Sequence, residues 1–112
     1  MLTKENLKAF GADVDAGLAR CLNNEQFYFR MITKIVDDGN FDKLSESVKS
    51  NDKAAAFQAA HALKGVLGNL SLTPMYECAS EMTELLRAGK DADYDSYTKK
   101  LLDLRDALKS MI

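Results

Sequence analysis

The sequence predicts an all-α protein: an up-and-down antiparallel four-helix bundle with additional short helices at its N-terminal end. Apolar residues recur at helical spacing through most of the chain, no segment shows the alternation of a β-strand, and proline occurs only at Pro74. The breaks between the periodic segments are short, which favours antiparallel packing of consecutive helices. With 112 residues, the chain is predicted to be one domain, residues 1–112, whose bundle core covers about residues 40–112.

Three predicted helices precede the bundle. The first covers residues 3–10 and stops at Gly11, the second covers about residues 14–22, and the third covers about residues 25–37. Asn23-Asn24 stands directly before the third helix, and asparagine is a favourable N-cap. The third helix places four apolar residues on one side: Tyr28, Ile32, Ile35 and Val36. These helices are expected to pack on the bundle.

The first two bundle helices follow a polar break at residues 38–40. One carries Phe41, Leu44 and Val48 on its apolar side, and Asp52 is a suitable N-cap for the next, which runs to about residue 70. On a helical wheel of 100° per residue, seven residues of this second helix lie within about 60° of one direction, which we predict to face the core. They are Ala56, Ala59, Ala60, Leu63, Val66, Leu67 and Leu70.

The last two bundle helices also have clear start and stop signals. Thr73-Pro74 predicts the start of the third, with the threonine as the cap and the proline at the first helical position, and Gly89 ends it. Asp91 or Asp93 caps the fourth. The third helix is predicted to bury Met75, Cys78, Ala79, Met82, Leu85 and Leu86. The fourth carries one apolar stripe of Tyr94, Tyr97, Leu101, Leu104, Leu108 and Met111.

Composition excludes several classes of function. The formal net charge is −2, and no basic block with interleaved aromatic residues occurs, so nucleic acid is not an expected partner. No apolar run has the length of a signal peptide or the roughly 20 residues of a membrane span, so we expect a cytoplasmic protein without a membrane partner. Cys21 and Cys78 are far apart and the chain has one histidine, which excludes a Cys/His zinc site. We expect no metal ligands and two reduced, packed thiols.

His61, the only histidine, lies about 160° from the predicted core direction and therefore points into water. Its neighbours on this face, one or two turns away, are Ala54, Phe57, Lys64, Gly65 and Gly68. A lone histidine is often a core residue whose ring nitrogens are hydrogen-bonded, but the apolar stripe of this helix is complete without His61. It can also be an idle surface residue. Two glycines argue against this, since each costs about 1 kcal/mol relative to alanine inside a helix.

The residues of this face fit a reactive imidazole that another protein must reach. The bare backbone at Gly65 and Gly68 leaves room for a bulky group or for a partner's surface. Lys64 offers a mobile ammonium group that can hold an anion close to the ring. Phe57 is interpreted as an apolar anchor for a docking protein, although scattered surface aromatic residues are common. Ala54 completes the predicted docking face.

The segment AHALKGVLGNLS, residues 60–71, resembles the histidine-containing phosphotransfer (HPt) domain of bacterial phosphorelays. The family pattern is roughly A-H-x-L-K-G-x-x-x-x-L-G, and the resemblance covers about residues 20–112. Four positions match in register: His61, Leu63, Lys64 and Gly65. Ser71 stands where the family usually has glycine. Members often place a glutamate or glutamine on the next helix to hydrogen-bond the histidine, and Thr83 occupies that position here, with Glu84 beside it.

The resemblance implies that His61 accepts a phosphoryl group from a phospho-aspartate on a response-regulator receiver domain and passes it to another receiver. Lys64 would stabilise the phosphoryl charge, and the Thr83 hydroxyl would orient the ring. The expected partners are receiver domains and a hybrid histidine kinase, and the carrier is expected to be a free-standing monomer. No cofactor is expected in this chain, since the receiver would bring the acidic pocket and the Mg²⁺. No GxxxxGK[ST] loop occurs, so a phosphocarrier is expected rather than an ATP-dependent kinase.

Two alternatives belong to other functional classes. A phosphotransfer-inactive helical adaptor would use the same face only to dock receivers, and the departures at Ser71 and Thr83 keep this alternative open. A hydrolase would use His61 as a general base. It is disfavoured because no serine, cysteine or carboxylate lies within one turn on that face, and an exposed helix surface is not a pocket.

Overall fold

Seven α-helices and no β-strand form the structure, a computed structural model that describes residues 1–112. In chain order the helices are α1 (Lys4–Phe10), α2 (Val14–Arg20), α3 (Glu25–Ile35), α4 (Asn40–Lys49), α5 (Lys53–Asn69), α6 (Thr73–Arg87) and α7 (Tyr94–Lys109). Each of α4 to α7 packs against the next, and α4 also packs against α7, which closes a four-helix bundle. The predicted fold class is confirmed. None of the helices combines the length and apolar character needed to cross a membrane.

The three N-terminal helices pack on the bundle at the turn between α5 and α6. The amide of Asp13 donates to the carbonyl of Ser71 at 2.9 Å, and the hydroxyl of Tyr28 donates to the carbonyl of Leu70 at 2.8 Å. The left-handed Gly11, at φ +109°, lies against Pro74 of α6. Arg20, at the end of α2, donates from Nη1 to the carbonyl of Gly68 at 2.9 Å, which places the end of α2 beside the last turn of α5.

The caps follow the sequence signals at most helix ends. Asn24 and Asp52 cap α3 and α5 through their side chains, and Asp93, not Asp91, caps α7. Asp91 instead accepts a hydrogen bond from Lys53 at 2.8 Å. The predicted cap of α6 is wrong by one residue. The N-cap is Leu72, without a side-chain hydrogen bond, because the chain leaves α5 in a tight turn that places Thr73 already inside the helix.

The end of α5 is a Schellman motif. The amide of Leu72 donates to the carbonyl of Leu67 and the amide of Ser71 donates to the carbonyl of Gly68, both at 3.1 Å. Ser71 consequently has a left-handed backbone, φ +54°. Glycine adopts this conformation without strain, whereas other residues lose roughly 1–2 kcal/mol. The serine adds a contact that glycine lacks, since Arg20 Nη1 donates to its Oγ at 2.6 Å.

The buried face of α5 matches the wheel at every predicted position except one. Val66 is 40% exposed, whereas the other six residues are buried. Val66 lies at the edge of the apolar arc that faces α3, and the wheel takes no account of how closely a neighbouring helix approaches. Val48 and Leu85 are half-buried. Cys21 and Cys78 are buried free thiols, as predicted.

The Tyr28 side chain, on α3, packs against α2 and is hydrogen-bonded to the end of α5. Its side chain is fully buried and its ring lies directly over Gly17, where an added Cβ would come within 2.6 Å of the ring. Burial raises the pKa of Tyr28 to about 12, with smaller contributions from nearby Cys21 and Asp13. The buried hydroxyl is therefore kept protonated and available to the carbonyl of Leu70.

The raised pKa of Tyr28 predicts a loss of stability at alkaline pH. A tyrosine in the unfolded chain ionises near pH 10, so the stabilisation is complete below about pH 10 and is lost as the pH rises towards 12. Two pKa units correspond to roughly 2–3 kcal/mol of unfolding free energy. Urea unfolding of the wild type and of Tyr28→Phe between about pH 8 and pH 12 measures this effect. The stability advantage of the wild type should shrink across that interval; a constant difference between the two proteins would contradict the assignment to Tyr28.

Candidate functional site

His61 projects into solvent from the middle of α5. The opposite side of this helix is occupied by Ala60, Leu63 and the other buried residues, so the only face left for the imidazole is the outer one. The exposure of His61 inferred from the wheel is confirmed. Ala54 and Gly65 are also exposed, whereas the other three residues of the predicted docking face are half-buried.

The imidazole borders a cleft of about 600 Å³ between α5, α2 and the start of α6. Lys64 and Gly65 line the α5 side of this cleft, Arg20 lines it from α2, and Tyr76 lines it from α6. The cleft is open to solvent, so a group attached to His61 would have room without any rearrangement of the core.

The Phe57 ring is stacked on the imidazole. The two ring centroids are 5.6 Å apart and their planes differ by 11°, an offset parallel arrangement that aromatic rings favour. The guanidinium carbon of Arg87, on α6, lies 5.1 Å from the centre of the Phe57 ring. The Phe57 ring thus contacts two side chains of this chain, His61 and Arg87. It is less available as an anchor for a docking protein than the sequence suggests.

Lys64 is ion-paired in this structure. Its Nζ lies 3.7 Å from Oε1 of Glu84, and Oε2 of the same carboxylate lies 3.5 Å from Nε of Arg87. The Lys64 side chain is 26% exposed, so the ammonium lies along the surface between α5 and α6. The predicted mobile ammonium is therefore held, although weakly, because exposed ion pairs contribute little free energy. One carboxylate thus pairs with both Lys64 and Arg87.

Thr83 does not make the predicted contact with the ring. It is fully buried, and its hydroxyl donates to the carbonyl of Ala79 at 2.6 Å. No hydrogen bond joins it to His61. The reason is helical geometry: the turn of α6 that carries Thr83 directs it into the core, whereas Glu84 and Arg87 lie at its surface. Stacking on Phe57, and not a hydrogen bond, is the contact that holds the imidazole here.

The two glycines beside His61 have different surroundings. A Cβ added at Gly65 would meet nothing within 4 Å, so this position is open, as the interpretation of a docking face requires. At Gly68 an added Cβ would come within 3.0 Å of the Tyr76 ring, and the Gly68 carbonyl accepts a hydrogen bond from Arg20 at 2.9 Å. Gly68 lines the same cleft as His61, but its backbone does not leave open space for a bulky group. The glycine there admits a side chain of this protein.

Two site residues were missed from the sequence. Arg87 lies one turn after Glu84, and the i, i+3 spacing of the two charges on α6 is a signal that could have found it. Arg20 is 48 residues before the carbonyl that it contacts, and no local pattern indicates such a pairing.

Comparison with known families gives one match. The sequence model of the Hpt domain matches residues 38–111, about two thirds of the chain. The matched span contains all of α4 to α7, including His61, Lys64 and Arg87. It does not include α1 to α3. No curated protein and no solved structure matches the chain significantly.

Proposed function

Because this chain belongs to the Hpt-domain family, whose members carry out histidine phosphotransfer in two-component signalling, we propose that His61 is the residue that carries the phosphoryl group. The observation that supports this most directly is the exposed imidazole of the only histidine, which borders an open cleft beside the bare backbone of Gly65. The donor and the acceptor are receiver domains that carry the group on an aspartate.

The proposed transfer needs only a free imidazole nitrogen and a reactive donor. The lone pair of that nitrogen attacks phosphorus in line with the bond to the aspartyl oxygen. The N–P bond forms as the P–O bond breaks, and the aspartate leaves as a carboxylate. The ring keeps its proton on the other nitrogen. Reversal of these steps on a second receiver returns the group to an aspartate, so positioning and charge compensation are the main requirements.

Lys64, which lines the cleft with His61, and Arg87, which lies over the Phe57 ring, are proposed to compensate the charge of the phosphoryl group. Both contact Glu84 in the unphosphorylated protein, through ion pairs of 3.7 and 3.5 Å that are exposed and weak. A phosphoryl group on His61 carries more negative charge than this one carboxylate and competes with it for Lys64. The Mg²⁺ expected in the exchange belongs to the receiver. The carrier is proposed to act in the cytoplasm as a monomer, with a hybrid histidine kinase as a further partner.

The proposal is tested with a panel of receiver domains, each phosphorylated with ³²P-labelled acetyl phosphate and mixed with this chain. At least one receiver should lose its label as the chain becomes labelled, and the label should be acid-labile and alkali-stable, as expected for a phosphoramidate. Binding of several receivers without transfer of label would contradict the carrier function. That outcome would support the alternative, a docking adaptor that has lost phosphotransfer.

Phe57 is proposed to orient the ring, and its replacement by leucine should slow transfer. Leucine keeps an apolar side chain but removes the parallel stack, so the imidazole samples more orientations. Loss of positioning of this kind costs about 10- to 100-fold in rate. Single-turnover transfer from a phosphorylated receiver measures the effect. Phe29→Leu is the control, since Phe29 is a half-buried phenylalanine of α3 outside the cleft. Equal rates in the two variants would exclude an orienting role for Phe57.

A further inference from the structure

The cations that line the cleft beside His61 already have partners in the unphosphorylated protein. There are two of them, Lys64 and Arg20. The Arg20 guanidinium donates to the Gly68 carbonyl at 2.9 Å and to Ser71 Oγ at 2.6 Å, about 10 Å along the α5 axis from His61. Lys64 is paired with a carboxylate of α6. A phosphoryl group on His61 therefore meets no cation in this cleft that is free of other contacts.

The α6 carboxylate is that of Glu84, which holds two cations at once, one with each oxygen. Oε1 lies 3.7 Å from Lys64 Nζ, and Oε2 lies 3.5 Å from Arg87 Nε. Arg87 in turn lies over the Phe57 ring, which is stacked on the His61 imidazole. The side chains of Glu84 and Arg87 are both more than half exposed, so neither ion pair is fixed by burial. Both pairs can open when another anion is offered to the cations.

A carboxylate in this position acts against the phosphorylated state in two ways. Lys64 has to leave Glu84 before it can pair fully with a phosphoryl group on His61, so the free energy of the existing pair is lost. The carboxylate then remains close to a group with more negative charge than its own, and the like charges repel each other. Both effects favour the unphosphorylated protein.

We propose that Glu84 is a positioning residue that lowers the amount of phosphohistidine at equilibrium, because it holds Lys64 and Arg87 before transfer and repels the phosphoryl group afterwards. This inference rests on the proposed function. No hydrogen bond or ion pair joins Glu84 to His61, so Glu84 acts through the two cations and through its charge.

This role suits a carrier that has to release the group as well as accept it. A phosphohistidine that was strongly stabilised by Lys64 and Arg87 would accept the group from the first receiver and return little of it to the second. Glu84 offsets part of that stabilisation with a single charge. The carboxylate therefore keeps the transfer reversible without touching the reacting atoms.

The test is the equilibrium constant of the transfer, in which receiver phospho-aspartate and free His61 exchange with receiver aspartate and phosphorylated His61. It is measured for the wild type and for Glu84→Gln with the receiver that transfers fastest in the panel. Glutamine keeps the size and the helix propensity but removes the charge. The constant should shift about two- to fivefold towards phosphohistidine, as expected when an exposed ion pair is lost. Receiver docking and ring orientation change forward and reverse rates alike, so they cancel from this constant.

Glu77→Gln is the matched control. Glu77 is exposed on the same side of α6, seven residues before Glu84, but it takes part in no ion pair and does not line the cleft. This variant loses the same charge and should have the wild-type constant. Glu84→Asp restores the carboxylate and should return the constant towards the wild-type value. The difference between wild type and Glu84→Gln should also shrink at about 1 M NaCl, where exposed charges are screened, whereas a change of packing would persist.

The outcomes separate the failure of this inference from the failure of the proposed function. Equal constants for the wild type and Glu84→Gln would overturn the role of Glu84 and leave the carrier function intact. An equal shift in Glu77→Gln would do the same, since it would reflect net charge alone. A shift that is as large in a Lys64→Gln background as in the wild type would also overturn the inference, because Glu84 would then not act through Lys64. No label on the wild type from any receiver would overturn both.

Discussion

Replacement of His61 by glutamine is expected to abolish phosphate acceptance and to leave the folded structure nearly as stable as the wild type. Glutamine is similar in size and is a good helix former, but it has no nucleophilic nitrogen. The side chain is exposed, so no core contact is lost. Only the stack on Phe57 is removed, and the free energy of unfolding should change by less than about 1 kcal/mol. The loss of labelling, in contrast, should be complete.

The absence of other histidines makes this variant decisive. Phospholysine shares the acid lability of phosphohistidine, and the chain has several lysines, so lability alone does not identify the residue. Label that disappears in His61→Gln and persists in Lys64→Gln would assign the phosphoryl group to the imidazole. Label that persists in His61→Gln would refute the assignment. A large fall in thermal stability of His61→Gln would contradict the exposed placement of the ring.

Properties that depend on one helix were predictable from the sequence. Helical periodicity located all seven helices, since each has a cap or a breaker near its ends, as Asn24, Asp52 and Gly89 illustrate. The exposure of His61 follows from the same periodicity, because the core side of α5 is filled by small and branched apolar residues. The outward position of the imidazole is therefore a property of the α5 sequence itself.

Contacts between helices were not predictable in the same way. Val66 was predicted to be buried and the backbone at Gly68 to be open, because a wheel describes one helix alone, whereas their environments depend on α3 and on Tyr76 of α6. Thr83 was predicted to contact the His61 ring by counting residues along α6. The rotation of that helix about its axis instead places Glu84 and Arg87 at the surface. The partners of the imidazole are thus set by tertiary packing.

Replacement of Gly17 by alanine is expected to destabilise the fold strongly. The new Cβ would lie 2.6–2.7 Å from the hydroxyl and two ring carbons of Tyr28, which is fully buried and cannot move without losing its hydrogen bond to the Leu70 carbonyl. Overpacking of this kind costs about 1–3 kcal/mol, and loss of the buried hydrogen bond adds a similar amount. After the gain of about 1 kcal/mol in helix propensity, a net loss of roughly 2 kcal/mol or more should remain.

Gly65→Ala is the control for the contact with Tyr28. It makes the same chemical change inside a helix, at a position where nothing lies within 4 Å of the new Cβ. It should raise the free energy of unfolding by up to about 1 kcal/mol, because only the helix propensity changes. Urea unfolding of both variants measures the difference, and opposite signs are expected. If Gly17→Ala were as stable as the wild type, Tyr28 would not be the rigid connection between α2 and the end of α5. If Gly65→Ala were destabilised, the backbone beside His61 would not be open, and the glycine could not be explained by the approach of a partner.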